Sequence, residues 1–343
     1  MTRGAAMPGV HATTLRFGLF SLCFPVGLII LAASVASTRL DAGEAHLKRS
    51  NPQKYRMLIG MITQMGKYRP SAVALALPLP KTNAYQEVEP LTGPRGKTLT
   101  VSGTGDEYLV VKYSGKDFDS AEEQVLGYEF LVTLYDIETD FSQVRPTTPY
   151  RKDAAYTRYT SRAGKYVDPD HPEIVAIARK LALPARDNVD FARRAYEYVA
   201  ENYRHSDRTG FRSLAETLEA GGGHCGDLSA IFISILRKKG IPARHLAGHR
   251  YTGETHIISE FYVEGCGWIP VDVDSRVTKP QNDYFGNIPR AFMPVVFSRD
   301  ASLPLEGLSG PSTVSTLQRG WWWWEPKKAR TENTFLVHSE KAP

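Results

Sequence analysis

The chain is poor in cysteine, in clustered histidine and in runs of a single charge. Three cysteines among 343 residues cannot form the dense disulfide framework of a small secreted scaffold. The nine histidines lack the spacing of metal ligands and no calcium-binding loop is visible, so we expect neither a metal nor a cofactor. The mild net charge of +5, without basic runs, argues against a nucleic-acid partner.

An apolar N-terminal run is the first clear signal that is present. Arg3 and Arg16 precede the run over 17–36, which has no polar face and ends in the small residues Ser34-Val35-Ala36. This pattern is typical of a secretory signal peptide. The run approaches ~20 residues, so an uncleaved membrane anchor is the alternative. Either interpretation predicts an extracytoplasmic protein, secreted or periplasmic, with 1–36 as its signal peptide or anchor.

Residue patterning divides the rest of the chain into three parts. We expect a small β-rich domain over 45–150, a sandwich or half-barrel, then an α+β domain over 151–300 and a C-terminal strap and tail over 301–343. Within the first part, residues 53–68 suggest a helix. Three later segments, rich in β-branched and aromatic residues, predict strands: 99–101, 108–113 and 128–135.

The stretch 221–242 has the strongest local pattern. Three glycines and His224 lead into Cys225, which is followed by apolar residues at helical spacing, so the cysteine is expected in the first turn of a core-facing helix. Gly240 suits a left-handed helix end, and Pro242 prevents continuation. A thiol at the positive helix end is favoured as a thiolate. The alternative is a small buried cysteine that only packs.

Two predicted strands, 255–263 and 267–274, are separated by the tight turn 264–266 and should pair as an antiparallel hairpin. This register places His256 opposite Asp274, with Asp272 as its diagonal neighbour on the same face.

A disulfide between the two later cysteines is a competing interpretation. Cys266 lies at the far end of the hairpin, on the order of 30 Å from His256. Cys225 therefore cannot meet both His256 and Cys266, and a disulfide would exclude a cysteine–histidine pair.

Cys225, His256 and Asp272 together have the residue types of a nucleophilic triad. The thiol needs a base to take its proton, and the base needs an acceptor that fixes its tautomer. Each residue alone is a weak signal, since a lone histidine on a strand is more often structural. The combination with a glycine-led helix and a hairpin is much stronger.

These residues stand in motifs that resemble a known family. They are Gly-His-Cys-Gly-Asp over 223–227, Leu-Arg-x-x-Gly-Ile-Pro-Ala-Arg over 236–244, His256 with Glu260, and Gly-Trp-x-Pro-x-Asp over 267–272. The sequence over roughly 155–290 resembles the transglutaminase-like core of the papain-type cysteine enzymes.

The resemblance implies an α+β fold in which the cysteine helix packs on an antiparallel sheet. It also implies Cys225 as nucleophile, His256 as base and Asp272 as the orienting acid. Two departures are Ile258, where the family usually has an aromatic residue, and Asp272-Val273-Asp274, which makes Asp274 a rival for the orienting role.

The chemistry expected from this resemblance is attack on a protein or peptide amide through a thioester. An amine acceptor gives acyl transfer, and water gives a cysteine protease or amidase without crosslinking. The alternative is a catalytically inactive binding or scaffold protein, suggested by the four tryptophans over 321–324. Those rings could form a ligand platform or cover the core as a C-terminal strap, which we favour.

Overall fold

The computed structural model describes residues 45–65, 71–93, 96–114, 117, 124–145, 149–207, 210–306, 312–325 and 331–342. The signal peptide or anchor expected over 1–36 lies outside these ranges. Within them, no helix combines the length and the apolar character needed to cross a bilayer.

Six strands open the described part of the chain. They are β1 (Leu47–Met65), β2 (Ala72–Leu79), β3 (Gln86–Thr92), β4 (Lys97–Thr100), β5 (Glu107–Ser114) and β6 (Gln124–Thr139). Six helices follow: α1 (Ala154–Thr160), α2 (Pro172–Ala182), α3 (Asn188–Asn202), α4 (Leu214–Glu219), α5 (Cys225–Lys239) and α6 (Val273–Thr278).

Eleven further strands lie between and after the helices. They are β7 (Arg204–His205), β8 (Gly222–Gly223), β9 (Ala243–His249), β10 (Thr255–Val263), β11 (Gly267–Val271), β12 (Asn287–Ile288), β13 (Val295–Ser298), β14 (Leu303–Leu305), β15 (Ser312–Val314), β16 (Trp321–Glu325) and β17 (Thr331–Lys341).

The helix expected over 53–68 is wrong, because its described part, 53–65, lies in β1. Tyr55, Met57, Ile59 and Met61 are buried at every second position, which is the period of a strand. The strand pairs with β6 on one side and β17 on the other, so its backbone hydrogen bonds are made between strands. Long-range pairing has overridden a weak local helical preference.

Two antiparallel sheets form the β-rich region, as the strand patterns predicted. One has the order β12-β6-β1-β17 with β3 also on β6, and the other has the order β16-β2-β5-β4. Buried side chains from both sheets, including Ile59, Leu75 and Phe130, share one core, as in a sandwich.

The C-terminal residues belong to these two sheets. Residues 331–341, expected to lie in a polar tail, form β17 and pair along β1 from Met65 to Tyr55. The tryptophans of β16 pair with β2 and are half-buried. Trp321 and Trp323 pack on one apolar cluster and Trp324 on another, so the rings cover core on both faces of the strand.

A third antiparallel sheet, with the order β11-β10-β9-β13, supports α5. The predicted apolar residues of α5 are fully buried, but burial extends around the whole helix from Gly226 to Arg237. The reason is that α2 and α3 cover the side of α5 that the sheet leaves free. This arrangement confirms the α+β class and the cysteine helix packed on an antiparallel sheet.

A buried arginine ties α5 to the chain around it. Arg237 donates to the carbonyls of Ala243 (2.8 Å) and Ser161 (2.7 Å) and to the carboxylate of Asp300 (3.1 Å). These three partners compensate for taking the guanidinium out of water.

We expect Phe232→Ala to destabilise the protein by about 3–5 kcal/mol, because it leaves a cavity at the centre of α5, where Phe232 is fully buried. Urea unfolding followed by circular dichroism measures the loss. Val125→Ala is the control, because this valine is 51% exposed. A loss below about 1 kcal/mol for Phe232→Ala would contradict the packing described here.

Candidate active site

Cys225 is the first residue of α5, as the sequence predicts. The residue before it, His224, donates its backbone N–H to the Asp227 carboxylate at 3.2 Å, and the Arg212 N–H binds the other oxygen at 3.1 Å. Asp227 thereby holds the helix start against the preceding loop. The thiol lies at the positive end of the helix dipole, which favours its ionised form.

The glycines before the helix permit a close backbone approach. Gly222 has φ 146°, and a Cβ added there would lie 2.0 Å from the carbonyl oxygen of Arg204. Glycine at this position lets β7 run parallel to β8. His205 of β7 is therefore placed beside Gly223, two residues before Cys225.

His256 and Asp272 form a buried pair. His256 lies near the start of β10 and is 2% exposed, and Asp272 directly follows β11 and is 0% exposed. The Nε2 of His256 donates to Oδ2 of Asp272 at 2.7 Å. Ser275 donates to the same carboxylate from its backbone N–H (2.9 Å) and its hydroxyl (2.6 Å).

The hairpin register is as predicted along the whole paired stretch, from Val263–Gly267 to Ser259–Val271, and only the strand length differs. Val263 pairs with Gly267, but strand pairing ends at Val271, and Asp272 then caps α6. The expected strand through Asp274 is therefore wrong at its end. Capping by Asp272 turns the chain into a helix and still aims this carboxylate at His256.

The charges of the three groups depend on one another. Burial would raise the pKa of the Cys225 thiol, but hydrogen bonds with His224 and His256 outweigh burial and lower that pKa to about 7. Burial disfavours the His256 imidazolium, yet the charge and hydrogen bond of Asp272 raise its pKa to about 10. Burial also opposes ionisation of Asp272, but His256 and Ser275 hold its pKa below the ordinary value. A thiolate–imidazolium pair is thus favoured near neutral pH.

Asp274, the expected rival of Asp272, has a different partner. Its Oδ1 lies 2.6 Å from Nδ1 of His205, and Nε2 of His205 lies 3.1 Å from the exposed Asp207. These carboxylates raise the pKa of His205 in spite of its burial. The carboxylate that orients His256 in this structure is that of Asp272.

A cleft of about 620 Å³ gives access to the thiol and the imidazole. Cys225, His256, His205 and Asp274 all contribute to its lining. The structure therefore brings Cys225, His256 and Asp272 together at one end of an open cavity, and their catalytic roles remain predictions.

Several residues of the cleft were missed from the sequence. Among them are His205, Arg250 and Gln318. The side-chain amide of Gln318 donates to the backbone carbonyls of Gly248 (2.9 Å) and His256 (3.0 Å). No periodic pattern or spacing marks these positions, since each comes from a different segment and acts only through tertiary contacts.

Neither described cysteine is in a disulfide. Cys225 is half-buried in the cleft, and Cys266 is buried at the hairpin turn, where its sulfur accepts the backbone N–H of Arg145 at 3.3 Å. The competing disulfide interpretation is therefore wrong. In the described ranges, no three histidine, cysteine or acidic side chains are grouped to hold a metal ion.

Residues 175–273 match the family described as the transglutaminase-like superfamily. This segment is a transglutaminase-like core. It contains α5, β9 to β11 and all three residues of the predicted triad.

The transglutaminase-like core lies in a fold that is similar to a solved structure. The structure is a candidate cysteine protease from Cytophaga hutchinsonii, with a TM-score of 0.54 and 15% identity, covering 87% of this chain and 93% of that one. At that identity the similarity concerns the fold alone. The periplasmic domain of TgpA from Pseudomonas aeruginosa gives a TM-score of 0.37 at 14% identity, covering 70% and 91%.

A curated relative is similar over a short segment. An uncharacterised protein of Haemophilus influenzae is 31% identical over 75 residues, which cover 15% of this chain and 20% of the relative. The chain thus spans about a fifth of that protein's length.

We expect the alkylation rate of Cys225 by iodoacetamide to rise with pH through about 7, where the thiolate forms. In His256→Ala the midpoint should move upward by at least about one pH unit, because the charge and hydrogen bond of His256 are lost and only His224 is left to oppose burial. The measurement is the second-order rate across pH, with the exposed His338→Ala as control. Two results would count against the thiolate–imidazolium pair of Cys225 and His256. One is a wild-type midpoint at the pH of an ordinary thiol, and the other is a midpoint that His256→Ala does not move.

Gly222→Ala should slow alkylation of Cys225 and destabilise the fold, because the added methyl meets the backbone of β7. Gly221→Ala is the matched control, since its φ is also positive (66°) but nothing lies within 4 Å of the added Cβ. Gly222→Ala should lower both the alkylation rate of Cys225 and the thermal unfolding temperature by more than Gly221→Ala does. Equal effects of the two changes would show that close approach to β7 is unimportant.

Proposed function

We propose that this protein is a cysteine-dependent enzyme that attacks protein or peptide amides through a thioester. The observation that carries the proposal is the half-buried Cys225 thiol beside the buried His256–Asp272 pair, in a cleft open to solvent. Among described side chains, this cluster has the ionisation behaviour that a nucleophile and its base require.

The first half of the proposed reaction forms the thioester. The Cys225 thiolate attacks the carbonyl carbon of the amide, and we assign backbone N–H groups of the first turn of α5 to the oxyanion. The His256 imidazolium gives its proton to the amide nitrogen as the carbon–nitrogen bond breaks. An amine or ammonia leaves, and the acyl group remains on sulfur.

The second half releases the acyl group. His256, now neutral, takes a proton from the incoming water or amine as that nucleophile attacks the thioester carbonyl. The carbon–sulfur bond then breaks, which restores the thiolate beside the imidazolium. Asp272 keeps Nε2 of His256 protonated throughout, so that Nδ1 is the nitrogen left for proton transfer.

The acceptor decides between hydrolysis and acyl transfer, and both belong to the proposal. The description of the Cytophaga structure as a candidate cysteine protease is in line with water as acceptor. The family name is in line with an amine. A binding-only role for the tryptophan strand has less support, because Trp321 and Trp323 already pack on buried core.

We also propose that the enzyme works outside the cytoplasm. The support is the apolar run over 17–36 with its preceding arginines and its small-residue end. Whether this leader is cut or retained as an anchor does not change the compartment of the catalytic cleft.

Incubation with a glutamine-rich protein and a fluorescent primary amine tests the reaction. We expect ammonia release or new peptide termini, with fluorescence incorporated into protein only if an amine is the acceptor. Cys225→Ala should lower the rate by about 10³-fold or more, because the thioester can no longer form.

Cys266→Ala is the matched control, because Cys266 is the other cysteine of the described chain and lies at the hairpin turn. It should retain the wild-type rate. Turnover that survives Cys225→Ala would contradict the proposal.

A further inference from the structure

Two arginines line the cleft beside Cys225, and the proposed reaction uses neither. Arg250 follows β9, in the turn that leads to β10, and Arg319 lies two residues before the start of β16. They therefore come from two separate parts of the chain, a turn of the sheet that supports α5 and the segment before β16. Their positions suggest recognition of a substrate group rather than proton transfer, since guanidinium does not give up its proton in proteins.

The guanidinium of Arg250 lies against the imidazole of His256. Its Nη2 is 3.3 Å from Nδ1 and 3.2 Å from Nε2 of that ring. Near-equal distances to both nitrogens place the guanidinium against the ring as a whole, rather than in one directed hydrogen bond. With His256 protonated, two cations are in contact; the Asp272 carboxylate on Nε2 offsets part of this repulsion, and a second anion at Arg250 would offset more of it.

Apart from a cation–π contact with Phe292, whose ring centre lies 5.1 Å from the guanidinium, Arg250 has little compensation for this contact. Its Nη1 is 3.5 Å from Glu254, whose side chain is 68% exposed, so the pair contributes little in water. Its Nε is buried and has no hydrogen-bond partner in the described structure. A buried donor without a partner costs stability, and an acceptor from a ligand would relieve that cost.

Arg319 is held in place but not neutralised. Its guanidinium lies 4.7 Å from the ring centre of Trp321, and the preceding residue, Gln318, is anchored to the carbonyl of His256. Among the described residues Arg319 makes no ion pair. The stacking leaves its planar set of donors available to the cleft.

The acidic side chains of the cleft already face basic partners. Asp274 and Asp207 both contact His205, and Glu254 contacts Arg250. None of them faces Arg319. The thiolate is paired with the His256 imidazolium, so among the described side chains the cleft charge that lacks an acidic partner is that of Arg319, whose guanidinium suits a planar, bidentate anion.

We propose that Arg250 and Arg319 bind a substrate carboxylate, so that the enzyme selects amides lying close to a carboxylate group. This inference rests on the proposed function of Cys225. A carboxylate can accept paired N–H groups from a guanidinium and offsets the repulsion between Arg250 and the His256 imidazolium. The carboxylate can be a peptide C-terminus or an acidic side chain.

Two alkylating reagents of similar size test carboxylate recognition by the two arginines without a known substrate. Iodoacetate carries a carboxylate and iodoacetamide is neutral, and the ratio of their rates at Cys225 is compared with the ratio for glutathione. We expect the wild-type ratio to exceed that of glutathione by about tenfold, because the arginines bind the charged reagent before it reacts.

Arg319→Gln should reduce this ratio several-fold, and because the iodoacetamide rate is the denominator, a change in the intrinsic reactivity of the thiol cancels from the ratio. Arg319→Lys, which keeps the charge but loses the paired donors, should give an intermediate ratio. Arg186→Gln is the control, because it removes the same charge from a residue that is 83% exposed and does not line the cleft.

Competing peptides identify the source of the carboxylate. A peptide with a free C-terminus, its C-terminal amide, and an amidated peptide containing glutamate are each tested for protection of Cys225 from iodoacetate. Protection by the first alone indicates a C-terminus, and protection by the third indicates a side chain. Either result supports the inference, whereas protection by none of them would overturn it.

The two proposals fail in different ways. Suppose that Cys225 reacts fast with iodoacetamide but its ratio of iodoacetate to iodoacetamide rates equals that of glutathione, or that Arg319→Gln does not change this ratio. Either result would overturn carboxylate recognition and leave the assignment of Cys225 as nucleophile in place. A Cys225 that reacts with iodoacetamide no faster than glutathione does would overturn both.

Discussion

The hydrogen bond between Nε2 of His256 and the carboxylate of Asp272 is the contact on which the site depends. An imidazole that is 2% exposed would be neutral if burial acted alone. The fully buried carboxylate reverses this preference and keeps the ring charged. That charge and the hydrogen bond with His224 together stabilise the thiolate of Cys225, so the buried pair is one of two contributions to the ionisation of the nucleophile.

Several distant parts of the fold hold this pair in place. The strand β11 ends one residue before Asp272, and the cap that Asp272 forms on α6 fixes its carboxylate through Ser275. On the other side, Gln318 holds the backbone of His256 from the segment before β16. The C-terminal strands are therefore both a cover for the β-rich core and one wall of the cleft.

The sequence predicted the elements whose signals are local. The helix of Cys225 is marked by its glycines, its apolar spacing and the Gly240 cap, and the structure has φ 79° at that glycine. The hairpin follows from a three-residue turn between alternating strands, which sets the register independently of the rest of the fold. These two elements carry Cys225 and His256, so the triad could be predicted.

What could not be predicted depends on long-range pairing. The segment over 53–65 is a strand because β6 and β17 flank it, and the second partner is more than 250 positions away in the chain. Arg250 reaches the site through its packing against His256, and His205 through its strand pair with Gly223. The helix after Asp272 had a local signal, because aspartate is a preferred N-cap residue and here it accepts the N–H of Ser275. The alternating pattern of the hairpin continued through Asp274 and favoured a strand instead.

Nuclear magnetic resonance of the full chain labelled with ¹⁵N-histidine tests the central claim most directly. At about pH 8, an ordinary imidazole is neutral. The account predicts that His256 is doubly protonated at this pH, with a strongly deshielded Nε2 proton that is lost in Asp272→Ala. A His256 ring that titrates near its ordinary value, or one unaffected by Asp272→Ala, would contradict it.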